Sequence, residues 1–68
     1  MVTEEMKSKY VAKVYAEMQR RGIDKEDADR VIAKTGFASS MELYPEEQLH
    51  YAVEDAVDEI IEVAALSK

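Results

Sequence analysis

"RRGIDKEDADRVIAKTGF", residues 20–37, contains both glycines of the 68-residue chain, and each glycine stands where a helix is expected to end. A glycine just past the last helical turn adopts the left-handed conformation at little cost, and the apolar residue after it often packs back onto that helix. Ile23 follows Gly22 in this way, and Phe37 follows Gly36. The stretch therefore predicts two helix ends, with a tight corner between a first and a second helix.

Upstream of this corner, the sequence predicts a first helix from Glu4 to Arg21. Thr3 is a suitable N-cap, and acids in the first turn with arginines in the last turn both complement the helix dipole. Apolar residues recur at helical spacing and should form one face that consists of Met6, Tyr10, Val11, Val14, Tyr15 and Met18. We expect the side chain of Ile23 to pack back against Met18 at the end of this helix.

Within the quoted stretch, a second helix is expected from Lys25 to Thr35, with Asp24 as its N-cap. Its buried stripe should consist of Ala28, Val31, Ile32 and Thr35. Because the helix is short and its stripe is narrow, it can cover only part of a longer neighbouring helix.

Downstream, Ser39 and Glu42 have the spacing of a capping box, which predicts a short helical turn over Ser40–Tyr44. Pro45 suits the first position of a further helix, and it disfavours helical geometry in the residue before it. A third helix is therefore expected to start at Pro45 and to run to about Leu66. Its apolar face should consist of Leu49, Ala52, Val53, Ala56, Val57, Ile60, Val63 and Ala64.

These elements predict an all-α fold, with residues 1–68 in a single domain: a small three-helix bundle of two long helices, one short middle helix and a helical turn before the last helix. The expected core is Tyr10, Val11, Val14, Met18, Ile23, Val31, Ile32, Phe37, Leu49, Val53, Val57 and Ile60. At a rise of about 1.5 Å per residue, the third helix is about 33 Å long and the second about 16 Å. We expect the linker residues Phe37, Met41, Leu43 and Tyr44 to cover part of the remaining groove, and a homodimer is the open alternative.

The chain has no cysteine and no apolar run long enough for a signal peptide or a membrane span, which favours a soluble, cytoplasmic protein. Its net charge is −6 and is unevenly distributed. Residues 1–36 hold eight basic and seven acidic side chains, whereas residues 37–68 hold one basic and eight acidic. Because nucleic acids and anionic membranes attract basic surfaces, this charge argues against both as partners and favours either a basic protein or no electrostatic partner at all.

Most of this acidity lies in "EDAVDEIIE", residues 54–62, where acids recur four apart with no lysine to balance them. Three interpretations are open: a solvated face, a face neutralised by the first helix, or a surface for a basic partner. The candidate cations on the first helix are Lys7, Lys9, Lys13 and Arg20. Tyr51 is expected to project from the same face as an aromatic anchor. The residues predicted to bind a partner are Tyr51, Glu54, Asp55, Asp58 and Glu62.

Catalysis has little support, because the chain has one histidine, no cysteine and no glycine-rich phosphate loop. The chain is therefore predicted to be an interaction module that is not an enzyme and needs no cofactor. One enzymatic alternative stays open, since His50, Glu54 and Asp58 lie four apart and would share one face of the third helix. With carboxylates from a second chain they could bind a divalent cation, as in an oligomeric metal-dependent hydrolase.

Overall fold

A computed structural model of the chain describes residues 2–66, except for the side chain of Leu66. These residues form five α-helices and no strand: α1 (Glu4–Arg20), α2 (Lys25–Thr35), α3 (Phe37–Leu43), α4 (Pro45–His50) and α5 (Val53–Leu66). The all-α prediction is confirmed, whereas the count of three helices is wrong because the second half of the chain divides into three. Among the described residues, no helix combines the length and the apolar character needed to cross a membrane.

The N-termini of α1 and α2 are capped as the sequence predicts. The Thr3 hydroxyl accepts a hydrogen bond from the N–H of Met6 at 3.2 Å. The Asp24 carboxylate accepts one from the N–H of Asp27 at 2.9 Å. Each bond satisfies a backbone donor that has no partner within the first turn, so both helices start where the local sequence places them.

Gly22 ends the first helical segment, with a φ of 88° in the left-handed region. Its N–H donates to the carbonyl oxygen of Gln19 at 2.9 Å. The N–H of Ile23 donates to the carbonyl oxygen of Met18, also at 2.9 Å. These two bonds make a Schellman motif, so the predicted stop at Gly22 is confirmed. Ile23 packs half-buried against the core cluster that contains Met18.

The helical turn after α2 begins at Phe37, three positions earlier than predicted. Gly36, with a φ of 73°, closes α2, and its carbonyl oxygen accepts a hydrogen bond from the N–H of Ser40 at 3.0 Å. The chain thus passes from one helix directly into the next. The predicted capping box is wrong, because Ser39 and Glu42 both lie inside α3 and no side chain caps its described first turn.

The single long helix predicted from Pro45 to Leu66 is also wrong, because the chain leaves helical geometry at Tyr51 and Ala52. Tyr51 is extended, with φ −75° and ψ 140°. Its carbonyl oxygen accepts a hydrogen bond from the hydroxyl of Tyr10 at 3.0 Å. In a continuous helix that oxygen would bond to an N–H of the next turn, so a contact from α1 takes the place of a helical hydrogen bond.

The core lies where α1, α2 and α5 pack together, with two side chains added from α3. Its buried residues are Tyr10, Val14, Met18, Ala28, Ile32, Phe37, Met41, Ala56, Val57 and Ile60. The remaining predicted core residues are half-buried and pack against these; they are Val11, Ile23, Val31, Leu49 and Val53. Met41, which was expected to cover part of the groove but not listed with the core, is a core residue.

The segment between α2 and α5 covers the core only in part. Phe37 and Met41 are buried, and the ring of Phe37 stacks on that of Tyr10 with centroids 6.5 Å apart. Leu43 and Tyr44 are 70% and 60% exposed, so the expectation that they cover the groove is wrong. Both residues lie at the corner where α3 ends and Pro45 begins α4.

Candidate functional site

Helix α5 carries the acidic stretch of the sequence on the side opposite its packed face. Ala56, Val57 and Ile60 are buried in the core, where α5 packs against α1 and α2. An α-helix has about 3.6 residues per turn, so Glu54 and Asp58 fall on the other side of α5. The packing of one face therefore fixes the direction in which the carboxylates point.

All five acids of α5 are exposed: Glu54, Asp55, Asp58, Glu59 and Glu62. Glu54, Asp58 and Glu62 are successive like-charged neighbours one turn apart, and the last turn of α5 has no basic residue. Both features destabilise an isolated helix. The buried apolar face of α5 offsets this cost. Its packing therefore keeps the carboxylates close together although they repel one another.

One of these acids has a cationic partner within the chain. Arg21, just after α1, donates from Nη1 to the carboxylate of Asp58 at 2.5 Å. Its Nη2 donates to the backbone carbonyl oxygen of Glu54 at 3.2 Å. Among the described residues, the ion pair between the first helical segment and α5 is therefore made by Arg21, which was not among the cations predicted for this role.

The predicted cations pair within α1 instead. The Nζ of Lys7 lies 2.8 Å from the carboxylate of Glu4. The Nζ of Lys9 lies 3.2 Å from that of Glu5. Lys13 forms no ion pair with any residue from 2 to 66, and Arg20 pairs with Glu17 on its own helix. None of these side chains forms an ion pair with α5 among the described residues, although Arg20 is attracted electrostatically to Glu54.

Glu17 holds Arg21 in place for its contact with α5. The Glu17 carboxylate accepts hydrogen bonds from Arg20 at 2.6 Å and from Arg21 at 2.7 Å. The hydrogen bonds from these two arginines, of which Arg20 donates a second at 2.8 Å, lower the pKa of Glu17 from an ordinary value of 4.5 to about 2. The pKa of Arg21 is raised by its hydrogen bonds to Glu17 and to Asp58. Glu17, Arg21 and Asp58 thus form a charged chain from α1 to α5.

The other four carboxylates of α5 form no ion pair within the described part of the chain; they are Glu54, Asp55, Glu59 and Glu62. Tyr51 is 51% exposed, but it lies in the break before α5 and not on the helix face where it was predicted. The residues predicted to bind a partner therefore lie in two places. Glu54, Asp55, Asp58 and Glu62 are on α5, and Tyr51 lies just before it.

The predicted metal-binding trio does not share one helix face. His50 is the last residue of α4, whereas Glu54 and Asp58 lie on α5 beyond the extended break. Spacing of four residues aligns side chains only along a continuous helix. No group of three or more His, Asp or Glu side chains within the described residues could hold a metal ion. The interpretation of His50, Glu54 and Asp58 as neighbouring ligands is wrong for this reason.

A second surface, between α1 and α3, was missed by reasoning from the sequence. It is a groove of about 500 Å³. Its apolar lining consists of Val11, Ala12, Tyr15, Ile32, Phe37, Ala38 and Met41. Val11 and Tyr15, which widen the apolar face of the first helix, are the signal in the sequence that this helix has a second apolar edge. The position of α3, which the sequence did not predict, turns that edge into a groove.

Comparisons of the chain with protein-family models, with curated proteins and with solved structures found no match. The acidic face of α5 and the groove between α1 and α3 therefore carry the functional argument by themselves. They lie on different parts of the molecule, since no described residue of α5 lines the groove.

Proposed function

We propose that this chain is a protein-interaction module without catalysis of its own, and that it binds a basic protein partner through the acidic face of α5. The observation that carries the proposal is the contrast among the acids of this helix. Asp58 is bound by Arg21, whereas Glu54, Asp55, Glu59 and Glu62 have no ion pair within residues 2–66. A chain that places a cation on one carboxylate leaves the other four available to a partner.

The electrostatics of this face favour a partner with several positive charges. Like-charged neighbours one turn apart repel each other, and a cation placed between them relieves that repulsion. Opposite charge also steers the encounter of two proteins and raises their association rate, most strongly at low ionic strength. Arg21 is an example within the chain of a cation bound to this helix, because its guanidinium group donates to both the carboxylate of Asp58 and the backbone carbonyl oxygen of Glu54.

Tyr51 adds an aromatic group at the edge of this charged surface. Its backbone is held by Tyr10, while about half of its side chain is open to solvent. A fixed backbone with an exposed ring reduces the entropy that a partner must remove on binding. Tyrosine is among the residues that contribute most to protein interfaces.

A lysine-rich unstructured peptide, titrated at low salt, tests the proposal by calorimetry. The double variant Glu54→Gln with Glu62→Gln is expected to weaken binding by about tenfold, because it removes two neighbouring charges from the face. The matched control is Glu26→Gln with Glu47→Gln, which changes the net charge equally at exposed positions on α2 and α4. An equal loss in both double variants would show that only net charge matters and would refute a site on α5.

A homodimer is the second candidate, and the exposure of two large apolar side chains favours it. Leu43 and Tyr44 are 70% and 60% exposed at the corner between α3 and α4. Exposed apolar groups of this kind mark association surfaces when they lie together. Sedimentation at two protein concentrations tests this candidate: a mass that doubles with concentration, and that Leu43→Ser with Tyr44→Ser returns to the monomer, supports it.

A further inference from the structure

We infer that the groove between α1 and α3 binds an amphipathic helix of a partner protein, with one apolar side and basic residues near both of its ends. The floor of the groove is apolar. Ile32, Phe37 and Met41 are buried beneath it, and Val11 and Tyr15 are half-buried along its side. A concave apolar surface of this kind accepts the apolar face of a helix.

The dimensions of the groove fit a helix of about three turns. Its lining runs along α1 from Glu4 to Tyr15. At a rise of about 1.5 Å per residue this is a length of about 16 Å, which an occupant of about eleven residues would span. Apolar anchors at positions i, i+4 and i+7 of the occupant would then face the groove.

Acids lie at both ends of the groove. Glu4 and Glu42 line one end. At the other end, the hydroxyl of the lining residue Tyr15 donates a hydrogen bond to the carboxylate of Asp29, which is exposed just outside the lining. The one cation in the lining, Lys7, is paired with Glu4 at 2.8 Å and is also attracted to Glu42, which leaves two acids against one cation at this end. The ends therefore attract positive charge, so the apolar segment that fits between them is expected to carry Lys or Arg on either side.

The same charges argue for a different protein over a second copy of this chain. Each copy has a net charge of −6 and would bring the same acidic groove ends to the contact. Placing these acids against each other disfavours association, since like charges that face each other across an interface are repulsive. A basic amphipathic helix meets no such repulsion.

Substitution of two exposed alanines can block the groove without disturbing the core. Ala12 on α1 and Ala38 on α3 both line it and are exposed. An arginine at either position would fill the groove and repel basic ends of an occupant. Ala33, which is exposed on α2 and does not line the groove, allows the same substitution as a control.

The probe is a synthetic amphipathic peptide of about eleven residues, with leucine at positions i, i+4 and i+7 and lysine at both ends. Amide NMR spectra of the protein are recorded as the peptide is added. We expect chemical shifts to change along α1 from Ser8 to Tyr15 and along α3. Ala38→Arg and Ala12→Arg are expected to weaken the peptide's affinity by about tenfold or more, and Ala33→Arg by less than about twofold.

Several results would overturn the inference. Millimolar peptide that shifts no amide of α1 or α3 would do so, as would affinity unchanged in folded Ala38→Arg and Ala12→Arg. Equal binding of a peptide with glutamate at both ends would refute the basic partner. Self-association that Ala38→Arg abolishes would show that a second copy fills the groove. Shifts confined to α5 would refute the groove while leaving the proposed role of the acidic face intact.

Discussion

The hydroxyl of Tyr10 donates a hydrogen bond to the carbonyl oxygen of Tyr51, 3.0 Å away and 41 positions along the chain. This one contact joins the middle of α1 to the break between α4 and α5. Tyr10 is buried, and burial raises the pKa of its hydroxyl, so the group stays protonated and able to donate. We therefore expect the direction in which α5 leaves the break, and with it the placement of the acidic face, to depend on this bond.

Replacing Tyr10 with Phe tests that dependence, because it removes the hydroxyl and keeps the ring stacked on Phe37. We expect the free energy of unfolding to fall by about 1 kcal/mol, since the Tyr51 carbonyl loses its donor. Urea unfolding gives the energy, and amide shifts at Tyr51 and Ala52 give the local effect. Tyr15→Phe, which breaks a hydrogen bond at the surface, serves as the control and should cost less. A loss no larger in Tyr10→Phe than in the control would contradict the role of this bond.

Replacing Gly22 with Ala tests the Schellman motif at the end of α1. No atom lies within 4 Å of the position that an added Cβ would occupy, so the substitution creates no clash. The cost comes from the backbone alone, because a φ of 88° disfavours residues with a side chain. We expect a loss of about 1–2 kcal/mol for Ala, and a smaller loss for Asn, which tolerates this conformation better. Thermal unfolding of the two variants should rank them in that order.

The stability of the protein should depend on the ionisation of Glu17. Its pKa is lowered in the folded protein from 4.5 to about 2, so the unfolded chain binds the proton more readily. The stabilisation is therefore fully present above about pH 5 and is lost as the pH falls towards 2. Denaturant unfolding at a series of pH values gives the free energy of unfolding as a function of pH. Between about pH 2 and pH 5 this free energy should change less steeply with pH in Glu17→Gln than in the parent protein. Equal slopes would show that Glu17 contributes nothing to acid sensitivity.

The two methionines of α1 should differ sharply in their contribution to stability. Met18 is fully buried, whereas Met6 is 43% exposed. Met18→Ala is expected to cost about 2–5 kcal/mol, because it removes buried apolar atoms and leaves a cavity. Met6→Ala should cost less than about 0.5 kcal/mol. The comparison uses one chemical change on one helix, so similar losses in the two variants would refute the assigned packing of α1.

Divalent cations are expected to leave the stability of the monomer unchanged. His50 and Glu54 lie on different helices, and the described residues bring no three potential ligands together. A cation that binds only the folded state would raise the unfolding midpoint. Thermal unfolding with and without millimolar Mg²⁺, Mn²⁺ or Zn²⁺ checks this expectation. A raised midpoint, lost again in His50→Gln, would restore the metal-binding alternative.

The caps and stops of α1 and α2 were predictable because their causes are local. Asp24 bonds to an N–H three residues later, and the bonds around Gly22 and Ile23 span five residues or fewer. Such interactions can be read from a short stretch of sequence. Gly36 shows the limit, since it ends α2 as predicted but also starts α3 at once.

The break at Tyr51 and Ala52 was not predictable, because no glycine or proline marks it. Its structural partner, Tyr10, lies on another helix. The same holds for Arg21 and Asp58, which meet only after α1 and α5 have packed in one register. The exposure of the α5 acids followed from the apolar periodicity of that helix. Their pairing did not, since it depends on the neighbouring helix.

The segment from Gly36 to His50 has an unusual attachment to the rest of the molecule. Neither α3 nor α4 has a side-chain cap among its described residues, and α4 buries no residue. Phe37 and Met41 are its buried residues, and Leu49 packs half-buried against the core. We therefore expect this segment to undergo sub-global opening, with amide hydrogen exchange faster than in α1, α2 or α5. One wall of the α1–α3 groove is then compliant and the other stiff, which would let a single binding surface adjust its width to ligands of different bulk.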